Sequence, residues 1–321
     1  MLTGWSLPWL ALLITSGVVF DLVLGEVRRW HPLVGFGRFA NAIERWLNRG
    51  RRKLARGALA WVIVVAPPVA IACWALQWSA GISIMLSAAL HVALLYFSLG
   101  LRSLRDHTSP IEQALQRDDL AAARDNTARI VSRDTAQADA EELAKAGVES
   151  LLENGNDAVF GTLFWFLVAG GPGALLFRLA NTLDAMWGYR TPRYLAFGCA
   201  AARFDDALNW IPARLTALSY TLLGNTSLAW RCWLSQAPSW PSPNAGPVMA
   251  AGAGALGLAL GGAASYHGII EHRPPLGAGR AATGADIGRA WRLVAATTAL
   301  WIGVVIVAAA CAWIWKRGLH A

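Results

Sequence analysis

Between Gly57 and Leu101 the chain has no Asp, Glu, Lys or Arg, and a second uncharged run extends from Leu293 to Trp315. Charged residues are only 15% of the whole against 55% hydrophobic, and mean hydropathy is +0.40. That scarcity of charge excludes an ordinary water-soluble domain and a disordered chain. Cysteine is also scarce: Cys73, Cys199, Cys232 and Cys311 form no Cys-x-x-Cys pair, which excludes a thiolate metal site or a disulfide framework and leaves them as buried small hydrophobes. No Walker A loop, Gly-x-Ser-x-Gly elbow or His-Glu-x-x-His string occurs, so the common ATPase, hydrolase and zinc-peptidase sites are absent. Gly252-Ala253-Gly254-Ala255-Leu256-Gly257 matches the dinucleotide pattern in letters only, because no strand precedes it. His91 and His267 have no metal-ligand partner at useful spacing, and no internal repeat is visible.

What is present reads as an all-α, polytopic helical membrane protein with about four to seven spans. The Gly57–Leu101 run is long enough for two spans joined by a tight turn near Trp78–Gly81, and Leu293–Trp315 is one more, closed by Lys316 and Arg317 as an interfacial anchor. Trp5–Leu24 has no basic region before it and no small-residue cleavage site after it, so it reads as a retained span with Asp21 near the interface. Pro247–Gly262 reads as a helix packed on other helices through Ala253, Gly257 and Gly261. Leu208–Leu223, holding Pro212 and Arg214, reads as partial or interfacial. Arg28, Arg29, Arg38, Arg45, Arg49, Arg51, Arg52, Lys53 and Arg56 crowd the loop between the first two spans, which places that loop in the cytoplasm of a cell inner membrane and returns residues 102–158 to the same side. The net charge of +8 therefore reflects topology. Nucleic acid is not an expected partner, since no recognition motif accompanies the arginines; the lipid bilayer is, and an oligomer is left open.

The economical description is a single membrane-embedded domain, 1–321, with a polar helical insertion at about 102–158. That insertion holds more than half of the twenty acidic residues, with Ile111, Leu115, Leu143 and Leu151 on apolar faces. Ser109-Pro110 with Glu112 predicts a helix start. Val159–Leu176 is interrupted by Gly170-Gly171-Pro172-Gly173, so a broken helix that turns back is expected, bringing the polar clusters on either side of it to one face.

Three polar constellations stand out. Glu149, Glu153 and Asp157 are spaced four apart, with Glu142 two turns earlier; like charges so placed destabilise a helix, and a Mg²⁺ ion with substrate phosphates would offset this. A solvated face beside Lys145 has the same spacing. Asn181 and Asp184 form a second set, and Arg203, Asp205, Asp206, Asn209 and Arg214 a third, suited to clamping phosphate and taking a proton from an amine; helix caps and interfacial ion pairs are the alternative. Ser132-Arg133-Asp134-Thr135 reads as a helix cap or an arginine phosphate contact, and His31 beside Arg28 and Arg29 could meet an anion or simply snorkel. Ser242-Pro243-Asn244-Ala245-Gly246 leads into a helix whose free N–H groups suit phosphate, or is only a loop-to-helix transition.

Taken in order, these strings, with Asn154, Leu163-Phe164-Trp165, Gly188-Tyr189, Phe197-Gly198 and Pro212-Ala213-Arg214, resemble the adenosylcobinamide-phosphate synthase family of cobalamin biosynthesis over nearly the whole chain. The resemblance implies an ATP-dependent amide ligase joining (R)-1-amino-2-propanol, as its O-phosphate or as free aminopropanol, to a propionate of the corrinoid adenosylcobyric acid, with Mg²⁺. It marks positions without dividing the labour; the residue types suit Glu149, Glu153 and Asp157 to metal and nucleotide phosphates, Arg203 and Arg214 to phosphate or corrinoid carboxylates, and Asp205 or Asp206 to the amine. Arg133, Asn154, Asn181, Asp184, Arg203, Asn209, Arg214, Ser242 and Asn244 are marked for substrate. Gly25-Glu26-Val27, Gly161-Thr162 and Trp240-Pro241 depart from the family's pattern, the last where a His is common. A transporter would carry ionisable residues inside spans and repeated halves, and a non-catalytic sensor would have lost the Glu/Asn/Asp set; the sequence shows neither mark.

Overall fold

A computed structural model describes residues 4–27, 32–266 and 268–318. It is helical throughout except for one small sheet, the all-α polytopic architecture read from the sequence. Arg28, Arg29, His31 and His267 lie outside the described residues. Helical runs Leu7–Leu24, Lys53–Ile82, Ile84–Gln116, Ala140–Trp187 and Gly284–Lys316 are long and apolar enough to cross a membrane. Contacts divide the chain into two compact units, Met1–Gly100 with Gly161–Asn209 and Ile302–Ala321, and Leu101–Phe160 with Trp210–Trp301.

The first unit is built on α1 (Leu7–Leu24), α2 (Pro32–Leu47), α3 (Lys53–Ile82), α4 (Ile84–Ser98) and α8 (Gly161–Trp187). The α3–α4 break falls at Ser83, extended at φ −159°, whose Oγ caps α4 by accepting the Met85 N–H at 3.2 Å. The turn expected at Trp78–Gly81 is thus displaced toward the C-terminus, because Ser83 is the capping residue and Gly81 keeps helical geometry. Trp187, Phe197, Leu183 and Val64 pack at the centre of this unit. Cys73 and Cys311, expected to be buried, are exposed on α3 and α12 (Gly284–Gly318), and Cys232 is buried.

Within α8 the chain turns back, as its glycines predicted. Ala169 and Gly170 leave helical geometry, Gly170 at φ 66°, ψ −152°. A Cβ on Gly161 would overlap the Phe177 ring, and one on Gly173 would overlap the Trp165 carbonyl. A continuous helix would hold residues 161 and 177 about 24 Å apart, so the two limbs form a hairpin. The freed Gly171 N–H donates to His91 Nδ1 at 2.9 Å, giving this histidine a structural task. Only glycine adopts the Gly170 backbone without strain of about 1–3 kcal/mol, so Gly170→Ala should lower stability by that amount in denaturant titrations of the detergent-solubilised protein. An unchanged midpoint would contradict the reversal.

A buried carboxylate lies in the same unit on α2, outside the candidate spans. Glu44 accepts from Arg193 Nε at 3.0 Å and Nη2 at 2.6 Å, and from Asn48 Nδ2 at 2.7 Å. Burial pushes its pKa up, but the Arg193 and Asn48 hydrogen bonds outweigh burial and hold it below the ordinary carboxylate range. A depressed folded pKa contributes stability that is full above the unfolded value and is lost as pH falls through the folded one. Wild type should therefore lose more stability on acidification below about pH 5 than Glu44→Gln, read by circular dichroism; superimposable acid limbs would refute this.

The second unit holds α5 (Leu101–Gln116), α6 (Leu120–Ala128), α7 (Ala140–Gly155), α10 (Thr226–Gln236), α11 (Ala245–Leu256) and most of α12, with α9 (Cys199–Leu223) entering it from Trp210. α5 begins at Leu101 and runs through Pro110, so Ser109-Pro110 is not a helix start; the ring sits mid-helix, where only the bond to the Asp106 carbonyl is lost. α9 continues through Pro212 and is not among the helices long and apolar enough to cross a membrane, in keeping with the partial or interfacial element expected. The helix expected over Pro247–Gly262 ends earlier, at Gly257 with φ 67°. Leu258–Tyr266 is instead a strand, β1, pairing antiparallel with β2 (Ile269–Gly277) and parallel with β3 (Arg280–Ala281). Gly261 and Gly262, both at positive φ, form a bulge there. The small residues do serve helix packing, but through Gly252 against Leu152 and Gly254 against the Ala229 backbone, not through Gly257 and Gly261.

Candidate functional site

α7 starts on a capping box, in which Asp139 Oδ1 accepts the Glu142 N–H and Glu142 Oε2 accepts the Asp139 N–H. Glu142 is therefore a cap, not the start of an acidic stripe. Seven residues on, Glu149 is almost wholly buried. Its Oε1 accepts the Gly261 N–H at 2.8 Å and Arg273 Nη2 at 3.3 Å, and its Oε2 accepts Arg273 Nη1 at 2.9 Å and Arg133 Nη2. One carboxylate thus serves two guanidiniums and a backbone amide, a pattern that favours the ionised form. For Arg273 burial disfavours the charge, but Glu149 more than offsets it, raising its pKa above the ordinary arginine value. The bulge at Gly261–Gly262 is what aims the Gly261 N–H at the acid; Arg273 Nε also donates to the Gly262 carbonyl at 3.3 Å.

Arg133 comes from the loop between α6 and α7. The α7 cap is Asp139, and the loop's Ser132–Thr135 stretch caps no helix among the described residues, contrary to one sequence reading. Asp134 clips it to the β1–β2 turn, its N–H donating to the Ser265 carbonyl at 2.8 Å and its Oδ2 accepting from Ser265 Oγ at 2.9 Å and Gly268 N–H at 2.7 Å. The Glu153 carboxyl, one turn beyond Glu149, accepts no hydrogen bond from the protein among the described residues and lines a cavity of about 280 Å³ with Arg133, Glu149, Asn154, Tyr266 and Arg273. Trp240 forms one wall, its ring centroid 5.9 Å from the Arg273 guanidinium. Asn154 Nδ2 donates to the Ser150 carbonyl at 2.9 Å. A second cavity, of about 460 Å³, shares Arg133 and is lined also by Thr135, Glu142 and Lys145.

After Gly155 the helix passes into a π-helical turn, Asn156–Phe160, so Asp157 leaves the four-residue grid on which it lined up with Glu149 and Glu153. Asp157 Oδ1 accepts from Asn156 Nδ2 at 2.9 Å, while buried Asn156 Oδ1 accepts from Thr216 Oγ1 at 2.9 Å. Among the described residues no three His, Cys, Asp or Glu side chains converge as metal ligands. A three-carboxylate Mg²⁺ site does not fit, because the oxygens of Glu149 are taken by arginines and an amide.

The Ser242–Gly246 turn also differs from its expected phosphate cradle. Ser242 Oγ accepts the N–H groups of Asn244 and Ala245, the Ser242 carbonyl accepts that of Gly246, and the Asn244 carbonyl that of Val248; Pro247 has none. Arg214 holds the turn, donating to Asn244 Oδ1 at 2.7 Å and the Pro243 carbonyl at 3.1 Å, with Trp210 stacked beneath it. These three residues brace one another.

In the other unit, α8 and α9 join two sets that the sequence kept apart. Buried Asp205 accepts from Asn181 Nδ2 at 3.4 Å and Asn209 Nδ2 at 3.2 Å. Asp184 and Asp206 are half-buried and Arg203 is exposed. Arg273, Tyr266, Trp240 and Gly261 were missed in the sequence. The polar string Glu271-His272-Arg273 was the available signal, but Gly261 was hidden by the helical reading of its segment.

The family described as CobD/Cbib protein matches residues 14–294. The chain is 54% identical over 306 residues to "Cobalamin biosynthesis protein CobD" of Chromobacterium violaceum, covering 93% of this chain and 96% of the relative. It is 53% identical over 295 residues to the protein of that name in Stutzerimonas stutzeri (91% and 96% covered), and 40% identical over 282 residues to that in Mycobacterium tuberculosis (86% and 88% covered). No solved structure matches.

Proposed function

The chain belongs to the CobD/Cbib family and so serves cobalamin biosynthesis, and from that premise we propose that it is the amide ligase that makes adenosylcobinamide phosphate. The corrinoid substrate is adenosylcobyric acid, the amine is (R)-1-amino-2-propanol O-phosphate and the energy source is ATP. The observation that carries the reading is the Glu149–Arg133–Arg273 cluster, which leaves Glu153 unpaired on a polar cavity.

Amide formation from a carboxylate needs an activated carbonyl, which ATP provides by phosphorylating the propionate oxygen with release of ADP. The substrate ammonium first gives up one proton, its nitrogen then bonds to the acyl carbon, the C–O bond to phosphate breaks, and a second proton leaves the nitrogen. Arg133 and Arg273 are held in place by Glu149 before substrate arrives, fixed cations suited to a substrate phosphate. Glu153 is placed to take the amine proton. We assign that role to Glu153 in preference to Asp205, whose oxygens already accept from Asn181 and Asn209. Mg²⁺ enters only as the counter-ion of ATP. The α8 hairpin returns the chain to the side it left, which supports a single cytoplasmic face of the inner membrane for the chemistry. Product formation by the purified chain in detergent tests the reading; folded protein that binds corrinoid and makes no product contradicts it.

A further inference from the structure

We infer that the 280 Å³ cavity between α7 and β2 is a subsite for a two-carbon aminoalkyl phosphate, the phosphate meeting Arg133 and Arg273 and the ammonium meeting Glu153. The inference rests on the ligase reading for its choice of amine, but its grounds are local. The charges lining the cavity are separated: two guanidiniums share one carboxylate, leaving net positive charge around Glu149, and an unpaired acid stands one helical turn away. Side chains so spaced are about 5–6 Å apart at Cβ, the scale of an ammonium and a phosphate linked by two carbons.

The donors are available. A guanidinium has five N–H groups; Arg133 spends Nη2 on Glu149 and no other hydrogen bond of its side chain is found among the described residues. Tyr266 and Ser132 add hydroxyls at the same cavity. Size and charge argue against the other substrates. Sites for drug-sized ligands start at about 300 Å³, so a corrin ring does not enter, and a triphosphate would press like charge against Glu153. A zwitterion of a few heavy atoms satisfies both ends.

The test is binding by the full-length chain in nanodiscs free of phosphatidylethanolamine, without ATP or corrinoid, by isothermal titration. The probes are aminopropanol O-phosphate, ethanolamine phosphate, free aminopropanol and isopropyl phosphate. Both aminoalkyl phosphates should bind, and deleting either the phosphate or the amine should weaken binding about tenfold or more, the loss expected for a charged hydrogen bond. In Glu153→Gln the preference for aminopropanol phosphate over isopropyl phosphate should collapse while isopropyl phosphate still binds, which shows that the cavity is folded. Equal binding of all four probes, or an unchanged preference in Glu153→Gln, overturns the inference. So does capture of phosphatidylethanolamine added to the nanodiscs with no binding of the free monoesters. A chain that makes product but fails these ratios loses only this subsite; one that obeys them but makes no product loses only the ligase reading.

Discussion

Glu149→Gln is expected to lower the unfolding free energy by about 3–5 kcal/mol, the range for breaking a buried ion pair from one side. Arg133 and Arg273 have side chains only 12% and 14% exposed, and their shared counter-charge is 4% exposed. Glutamine keeps the shape and can still accept the Gly261 N–H, but it leaves two mostly buried guanidiniums without a neutralising partner. Denaturant or thermal unfolding in detergent measures the loss. Adding Arg273→Met should recover part of it, with a coupling of about 0.5–3 kcal/mol between the two positions. Unchanged stability in the single variant would mean that Glu149 is a solvated ligand position after all, as its spacing with Glu153 and Asp157 first suggested.

Glu153→Gln should behave in the opposite way, leaving the fold intact and reducing kcat by about 10²–10⁴, the range for a general base. Glu153 is half-buried, lines the cavity and has no protein hydrogen bond to lose among the described residues, so the amide substitution removes a proton acceptor without stranding a partner. Steady-state rates beside unfolding curves separate the two effects. A kcat within a few-fold of wild type would remove Glu153 from the chemistry, whatever the stability.

The contrast between these two acids was not readable from their spacing. Glu149 and Glu153 are equivalent on a helix diagram; what distinguishes them is Arg273, 124 positions away, and the Gly261 amide, 112 positions away. Those contacts depend on a β-hairpin whose first strand, Leu-Ala-Leu-Gly-Gly-Ala-Ala-Ser-Tyr, is poor in β-branched residues and continues an Ala/Gly helix, so local propensity points the wrong way. Asp157 was misaligned because it lies in a π-helical turn that begins at Asn156, which no side-chain period announces. The reversal at Gly170, by contrast, was legible, since Gly-Gly-Pro-Gly inside an apolar run demands a backbone that a spanning helix cannot keep. The approach of Asn181 to Asp205 and Asn209 lay between: each residue was marked, but only the packing of α8 on α9 joins them.

The most direct test of the account is ATP-dependent formation of adenosylcobinamide phosphate by the purified chain from adenosylcobyric acid and aminopropanol O-phosphate, run beside Glu153→Gln with each substrate omitted in turn. Product is expected from wild type only when all three substrates are present, with a rate about 10²–10⁴ lower from the variant. Product at equal rates from both proteins, or corrinoid binding by folded wild type with no product at all, would contradict it.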